Sequence, residues 1–476
     1  MTETLAETFS RAAKRFGART ALVEGDGTDV SFADLKARAD RFAAAWAARG
    51  MRKGDRILVA MPVGADLYAA LCAMWQLGAV AVLPEPAMGL AGVRHAVASA
   101  GVCGFCASGK YLWARVLVPG LWFKRLYRPA ASGSAGQAPG TAVAGEDLAL
   151  ISFTSGSTGA PKAIGRSHGF LKAQEAAVAP MLASARDERD LVAFPVFALI
   201  NLAEGRTSVL PNWPMTQIEA VTPAQLEAWC AIQNVTRALL PPALCETLAQ
   251  GDIPDTVHTL FTGGGPVFPD LIARLRERSP GLRIVSVYGS TEAEPIAEID
   301  ADDVSDADLA AMQAGQGLLA GRTVPQVALR IEDGEILVTG DHVNKGYLDP
   351  ARDAGAKVKE GGTVWHRTGD AGRIDTDGRL WLLGRHGASV KTEAGTLFPF
   401  AVETAARLWP GVARAALTEI GGQAVLALQG AEPSPGDWAE RAGQLGVASV
   451  RAVGHIPLDR RHRSKVDYPA LRKLLD

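Results

Sequence analysis

Apolar and polar positions along the chain alternate between two kinds of run. Short apolar stretches such as 56–61 (RILVAM) and 79–84 (AVAVLP) are separated by longer segments such as 31–50, where apolar residues recur every three to four positions, Ser31 can cap and Gly50 can stop. That alternation predicts βαβ units around a mainly parallel sheet. The most apolar stretch, Leu67 to Leu83, is broken by Gln76 and Gly78 and ends in Pro84, so it reads as a buried helix and a buried strand, too short to span a bilayer. A second α/β unit follows. Residues 148–154, 191–200, 237–241, 259–264 and 283–289 read as strands, and 223–233 and 268–279 as helices between them. From Val324 the pattern changes to short strands, with Asp333-Gly334 and Asp377-Gly378 suited to tight turns. Beyond Gly384 helix and strand mix again. The expected fold class is α/β: a large N-terminal domain over 1–384, made of two α/β subdomains (about 1–128 and 147–323) and a β-rich one (324–384), then a small α+β C-terminal domain over 385–476. Residues 129–146, rich in Gly, Ala, Pro and Ser, are expected to be a surface connection.

Composition narrows the classes. The chain has 476 residues, 48% hydrophobic and 21% charged, which excludes disorder of the whole. Its 49 Lys and Arg against 51 Asp and Glu leave a net charge of −2, so no nucleic-acid partner is expected. Five cysteines make no disulfide framework, and the Cys103/Cys106 pair has no second pair at zinc spacing, so structural thiols in a reducing compartment are expected. The first residues carry scattered charges and no apolar signal core, so a soluble, cytoplasmic protein without a transmembrane segment is expected. Residues 107–128 interleave aromatic and basic residues. Because Pro119 and Gly120 interrupt them, they read as a packed amphipathic segment, with a membrane-surface or partner helix as the alternative.

The most informative stretch is Ile151 to Gln174: an apolar strand, a loop of glycines and hydroxyls, Pro161-Lys162, then a helical segment. Gly156 and Gly159 let the backbone curl so that N–H groups point inward, Thr154, Ser155, Ser157 and Thr158 add donors, and Lys162 adds a positive charge. Such a loop directly after a buried strand can hold phosphate oxygens, and it differs from the Walker A pattern.

The run T-S-G-S-T-G-A-P-K over 154–162 resembles the signature loop of the adenylate-forming superfamily, which includes acyl-CoA synthetases, peptide-synthetase adenylation domains and luciferases. Further motifs follow in the family's order. Residues 262–266 (TGGGP, with Gly263, Gly264 and Gly265) resemble the glycine loop passing the adenine, and 288–292 (YGSTE) resemble Y-G-x-T-E. Residues 334–347 resemble the strand pair that follows, 366–370 (HRTGD) the R-T-G-D turn, and Gly384-Arg385 the hinge. Lys465 stands where the family has a C-terminal catalytic lysine, on a mobile lid domain. The resemblance covers nearly the whole chain. It implies ATP and Mg²⁺ as cofactors and gives each residue a role. Glu292 offers Mg²⁺ a hard oxygen. Thr291 bonds the α-phosphate, Tyr288 and Gly289 lie along the purine, Asp370 accepts the ribose hydroxyls, and Arg385 meets ribose or phosphate. Lys465 places positive charge where a carboxylate attacks the α-phosphate and anionic charge builds.

Within the superfamily the chain is most similar to the β-lactone synthetases of bacterial olefin biosynthesis, through 193–201, 288–297, 364–370 and 459–466, with fatty acyl-CoA and acyl-AMP ligases as near alternatives. The implied reaction is activation of a carboxylic acid, fatty or β-hydroxy fatty, to an acyl-adenylate with release of pyrophosphate, then internal β-lactone closure. The alternatives are thioester formation with coenzyme A or a phosphopantetheine carrier protein, and a silent AMP-binding scaffold. Phe194, Phe197 and Asn201 are the expected acyl-pocket residues, and pathway enzymes are possible partners. The hinge position is here near Gly387, uncharged, and the chain is shorter than most relatives, which points to a reduced domain rotation.

Overall fold

The computed structural model describes residues 3–84, 88–129, 140–154, 161–393, 395–459 and 464–476. Two large sheets with helices between and around them make up the N-terminal part. In the first, Arg125–Tyr127, Gly104–Ala107, Arg56–Ala60, Val80–Val82 and Leu148–Phe153 run parallel, and Ala163–Ser167 closes one edge antiparallel. In the second, Thr20–Val23, Thr207–Val209, Arg189–Val192, Arg237–Leu240, Thr259–Gly263 and Arg283–Ser290 run parallel. That sheet then continues antiparallel through Ala293–Asp300, Leu318–Thr323, Leu380–Arg385, Thr363–Ile374, Glu335–Thr339 and Ala328–Glu332. A small C-terminal unit holds the strands Val412–Ile420, Gln423–Gly430 and Ser449–Val453 against the helices Pro399–Arg407 and Asp437–Gln444, around Val402, Leu417, Leu426 and Trp438. The fold is α/β with a large N-terminal and a small C-terminal part, as the sequence pattern predicts.

Local chemistry sets the elements. Ser31 Oγ accepts the Asp34 N–H at 3.0 Å and starts the helix Phe32–Ala48; Gly50, at φ +84°, follows its end. The buried residues Phe32, Leu35, Ala39, Phe42 and Trp46 lie on one face of that helix, which packs on the helix Ala65–Gln76. Asp333 and Gly334, at φ +52° and +81°, form the two-residue turn between Ala328–Glu332 and Glu335–Thr339. No helix among the described residues is long and apolar enough to cross a membrane. Cys72, Cys106, Cys230 and Cys245 are buried free thiols, and burial pushes those of Cys230 and Cys245 up to about 12.

Three expectations change. Residues 191–200 are not one strand: the strand ends at Val192, and Pro195 opens the helix Pro195–Glu204. Ala198 and Leu202 pack into one core and Ile200 into another, so the helix is apolar all round and shows no amphipathic period. Second, the sheets do not follow the chain unit by unit. Thr20–Val23 and Asp29–Ser31 join the second sheet, whereas Leu148–Phe153 and Ala163–Ser167 join the first, because strand alternation signals an element and not its partner. Third, residues 107–128 form short helical turns and not one continuous amphipathic element: Ala114, Val118 and Leu121 pack inward, whereas Trp113, Trp122 and Phe123 stand exposed. The expected surface connection at 129–146 lies largely outside the described residues.

Candidate active site

One end of the site is built on the antiparallel half of the second sheet. Asp370 and Arg385 are direct partners across Thr363–Ile374 and Leu380–Arg385. Gly369, at φ +74°, bends the strand just before Asp370, and its N–H is held by Glu335 Oε1 at 3.0 Å. Arg385 Nη1 donates to Asp370 Oδ1 at 3.1 Å and to Thr368 O at 3.0 Å, while the Tyr288 hydroxyl donates to Asp370 Oδ2 at 2.8 Å. Each carboxylate oxygen is therefore oriented by one donor and keeps a lone pair for another hydroxyl. Burial, then the Asp370 charge, raises the Tyr288 hydroxyl well above its usual pKa, so it remains a donor. The Asp370 charge likewise raises Arg385. The sequence places Tyr288 against a purine; the structure adds its grip on Asp370.

The other end gathers around Tyr347. Lys162 Nζ lies 4.7 Å and Lys357 Nζ 5.1 Å from the centre of its ring, and its hydroxyl donates to Glu292 Oε1 at 2.9 Å. Asn344 N–H donates to Glu292 O at 2.7 Å, and Lys357 Nζ bonds Asn344 O and lies 3.2 Å from His366 Nδ1. Burial lowers Lys357 to about 8, against the pull of Glu292 and Asp353, and lowers His366 to about 4. Thr291 is braced from below: Arg166 Nη2 donates to its carbonyl at 2.6 Å. Thr154 Oγ1 accepts the Lys162 N–H at 3.2 Å across the mouth of the loop. Ser155, Gly156, Ser157, Thr158 and Gly159 lie outside the described residues. Lys357 and Arg166 were missed by sequence reasoning: Lys357 sits in AKVKEGG, which reads as a solvated turn, and Arg166 in an ordinary strand. Tyr347 and His366 stood inside quoted motifs without a role.

The third wall is the glycine loop. A Cβ on Gly263 would stand 2.4 Å from Val287 O, and one on Gly265 would stand 2.2 Å from Ser464 Oγ. A Cβ on Gly264, at φ +78°, would stand 3.5 Å from the Phe194 ring, and a side chain on Gly289 would meet Ala293 O at 3.0 Å. Ser464 belongs to the C-terminal unit, so the turn carrying Lys465 docks on this loop. There Asp459 Oδ1 accepts the N–H groups of Ser464 and Lys465, and Lys465 is exposed. Phe194 and Phe197, with ring centres 5.8 Å apart, pack with Ile200, Phe261 and Val287 beside the loop. Asn201 does not join them. It is fully buried and donates to Asp190 Oδ2 and Ser208 Oγ at 3.0 and 3.1 Å, within a cluster where Arg237 also holds Asp190. It braces the helix to the sheet.

The profile of the AMP-binding enzyme family matches residues 9–348. The chain belongs to that family. It is 30% identical to the olefin beta-lactone synthetase of Stenotrophomonas maltophilia (strain K279a), over 96% of this chain and 93% of the relative. It is 29% identical to the feruloyl-CoA synthase of an Amycolatopsis species, over 84% and 82%. Among solved structures it matches the amide bond synthetase of Marinactinospora thermotolerans with a TM-score of 0.83 at 23% identity, over 100% of both chains. It also matches the O-succinylbenzoate coenzyme A synthetase of Bacillus subtilis in complex with ATP and magnesium, with a TM-score of 0.77 at 22% identity over 98% of each. The fold is thus that of the family, and the chain is an adenylate-forming, AMP-forming acid ligase.

Proposed function

We propose that the acid is a long-chain β-hydroxy acid and that the second step closes it to a β-lactone. In the first step a carboxylate oxygen bonds the α-phosphorus of ATP and pyrophosphate leaves. In the second the β-hydroxyl oxygen bonds the acyl carbon, its proton is lost, and AMP leaves, so the product is the acid less one water. Asp370, oriented by Tyr288 and Arg385, takes the ribose hydroxyls. Lys162 and Lys357 face the phosphates, and Lys465 stabilises charge on the transferring group. Glu292 fits Mg²⁺: its Oε1 is fixed by Tyr347, and a lone carboxylate suits an ion otherwise bound by phosphate oxygens and water. When bound, that ion neutralises charge on the triphosphate. Phe194 and Phe197 offer the apolar wall for the alkyl chain.

The observation that carries the lactone reading is similarity to an olefin beta-lactone synthetase over nearly the full length of both chains. An internal hydroxyl held against the activated carbonyl replaces a bimolecular encounter. The test is incubation of enzyme, ATP, Mg²⁺ and a long-chain β-hydroxy acid without coenzyme A, with mass spectrometry for a product lighter by one water. A second reading, thioester formation, is favoured by the likeness to a feruloyl-CoA synthase. Absence of the lactone together with efficient thioester formation on adding coenzyme A or a carrier protein would establish it.

A further inference from the structure

The excursion between the strand Gly104–Ala107 and the edge strand Arg125–Tyr127 carries six of the twelve large apolar side chains exposed among the described residues. They are Tyr111, Trp113, Val116, Leu117, Trp122 and Phe123, with Trp113 67% and Phe123 96% exposed. Scattered exposed apolar residues are ordinary; half of them within thirteen positions are a patch. The patch is built on a fixed base. Ala114, Val118 and Leu121 are buried in the same cluster as Val93 and Ala96 of the helix Gly89–Ser99. Trp122 Nε1 donates to Val116 O at 3.0 Å, Arg115 Nη2 to Trp122 O at 3.3 Å, and Arg94 Nη2 to Leu117 O at 3.3 Å. Three buried anchors hold the loop so that its largest rings point away from the protein.

Charge marks the same stretch of chain. Residues 86–145 contain Arg94, Lys110, Arg115, Lys124, Arg125 and Arg128 and no Asp or Glu, in a chain whose net charge is −2. We propose that this edge loop docks the protein on an anionic lipid surface, the rings of Trp113, Trp122 and Phe123 entering the boundary between headgroups and acyl chains and the basic side chains meeting the headgroups. Aromatic rings beside Lys and Arg are the composition that such a boundary favours. The Trp122 N–H is already bonded within the loop, so its ring enters an apolar layer without leaving a donor unpaired. A projecting ring such as Phe123 is buried whole by a fluid layer, which closes round it without a preformed pocket.

The test is flotation of the full chain with vesicles of phosphatidylcholine alone or mixed with phosphatidylglycerol, at low and high salt. Binding to the mixed vesicles, weakened by salt, is expected. Phe123→Ser should lower it about tenfold, and Lys124→Gln or Arg128→Gln about fivefold each. All three variants should keep ATP–pyrophosphate exchange with a short soluble acid, which shows that they fold. No binding, equal binding to neutral vesicles, or undiminished binding by the variants would overturn the proposal. So would self-association that Phe123→Ser abolishes without vesicle binding by the unaltered chain, since a second copy would then be the occupant.

Discussion

Arg407 and Asp270 form a two-point ion pair between the C-terminal unit and the N-terminal part: Nε to Oδ1 at 2.8 Å and Nη2 to Oδ2 at 2.7 Å. Arg407 is buried at the end of the helix Pro399–Arg407, and Asp270 lies in the first turn of the helix Pro269–Arg278. Glu246 and Arg274 extend the pair into a network. A planar guanidinium in this geometry fixes an angle as well as a distance. The pair therefore holds the unit that brings Ser464, and with it the Lys465 turn, onto Gly265.

Arg407→Ala should therefore slow ATP–pyrophosphate exchange about tenfold, the cost of a docked state less populated by ~1.4 kcal/mol, and leave nucleotide affinity nearly unchanged. Equilibrium nucleotide binding alongside the exchange assay checks this. A loss of affinity matching the loss of rate would show that the network supports the nucleotide pocket instead.

Lys465→Ala should suppress adenylate formation by ~10²–10³, the usual weight of a group stabilising charge in the transition state, with ATP binding retained. Asp370→Ala should act differently, because ribose contacts exist in ground and transition states alike: the KM for ATP rises and kcat holds. Tyr288→Phe should show a weaker form of the same pattern, since it removes one of the two donors that aim Asp370. A collapsed kcat at unchanged KM in Asp370→Ala would move that carboxylate into the chemistry.

Lys357→Met separates the two ends of the nucleotide. Lys357 is half-buried and stands with Glu292 and Lys162 around the Tyr347 ring, whereas Asp370, proposed to take the ribose, has Tyr288 and Arg385 as its partners. Its loss should weaken ATP about tenfold, as expected for a charge-assisted phosphate contact, and leave AMP affinity almost unaltered. Isothermal titration with both nucleotides measures the split; an equal loss for AMP would place Lys357 near the α-phosphate.

How much of this site was legible depended on sequence distance. Asp370 and Glu292 stand out as candidates because each sits in a short motif. The contacts that orient them do not. Tyr288 and Asp370 are 82 positions apart, Arg166 and Thr291 125, and Arg407 and Asp270 137. Only the order of strands and the docking of the two units bring those pairs together, and a strand's alternation does not name its neighbour. Lys357 had no signal at all, because burial of a lysine in a charged turn is decided by Tyr347 and His366 packing over it. The helix Pro195–Glu204 was misread for the opposite reason: with apolar residues packed into two different cores, it lacks the polar face that marks a helix. Asn201 was misassigned along with it.

Glu403 should contribute stability that is lost as pH rises through the acidic range. Its carboxyl, on the helix Pro399–Arg407, is fully buried; Oε1 accepts the Leu417 N–H at 2.9 Å and the Tyr468 hydroxyl at 3.1 Å. Burial pushes its pKa from 4.5 up to about 7, against the opposing pull of those two donors and of Arg407. Between these values the folded chain holds a proton that the unfolded chain has released. At this site the native state thus binds more protons than the unfolded one, and the group's contribution to stability declines with rising pH across that window, then levels off above the folded value. The full contribution is on the order of 3 kcal/mol, because a tenfold change in proton affinity corresponds to about 1.4 kcal/mol. Glu403→Gln keeps an oxygen acceptor for Leu417 and Tyr468 and removes the proton, so its unfolding free energy should lack this slope. Urea unfolding of both proteins from about pH 5 to about pH 8 measures it: the curves should diverge as pH rises, with the Gln variant the more stable at the alkaline end. Parallel curves would show that Glu403 stays ionised throughout and that Arg407, not burial, governs its charge.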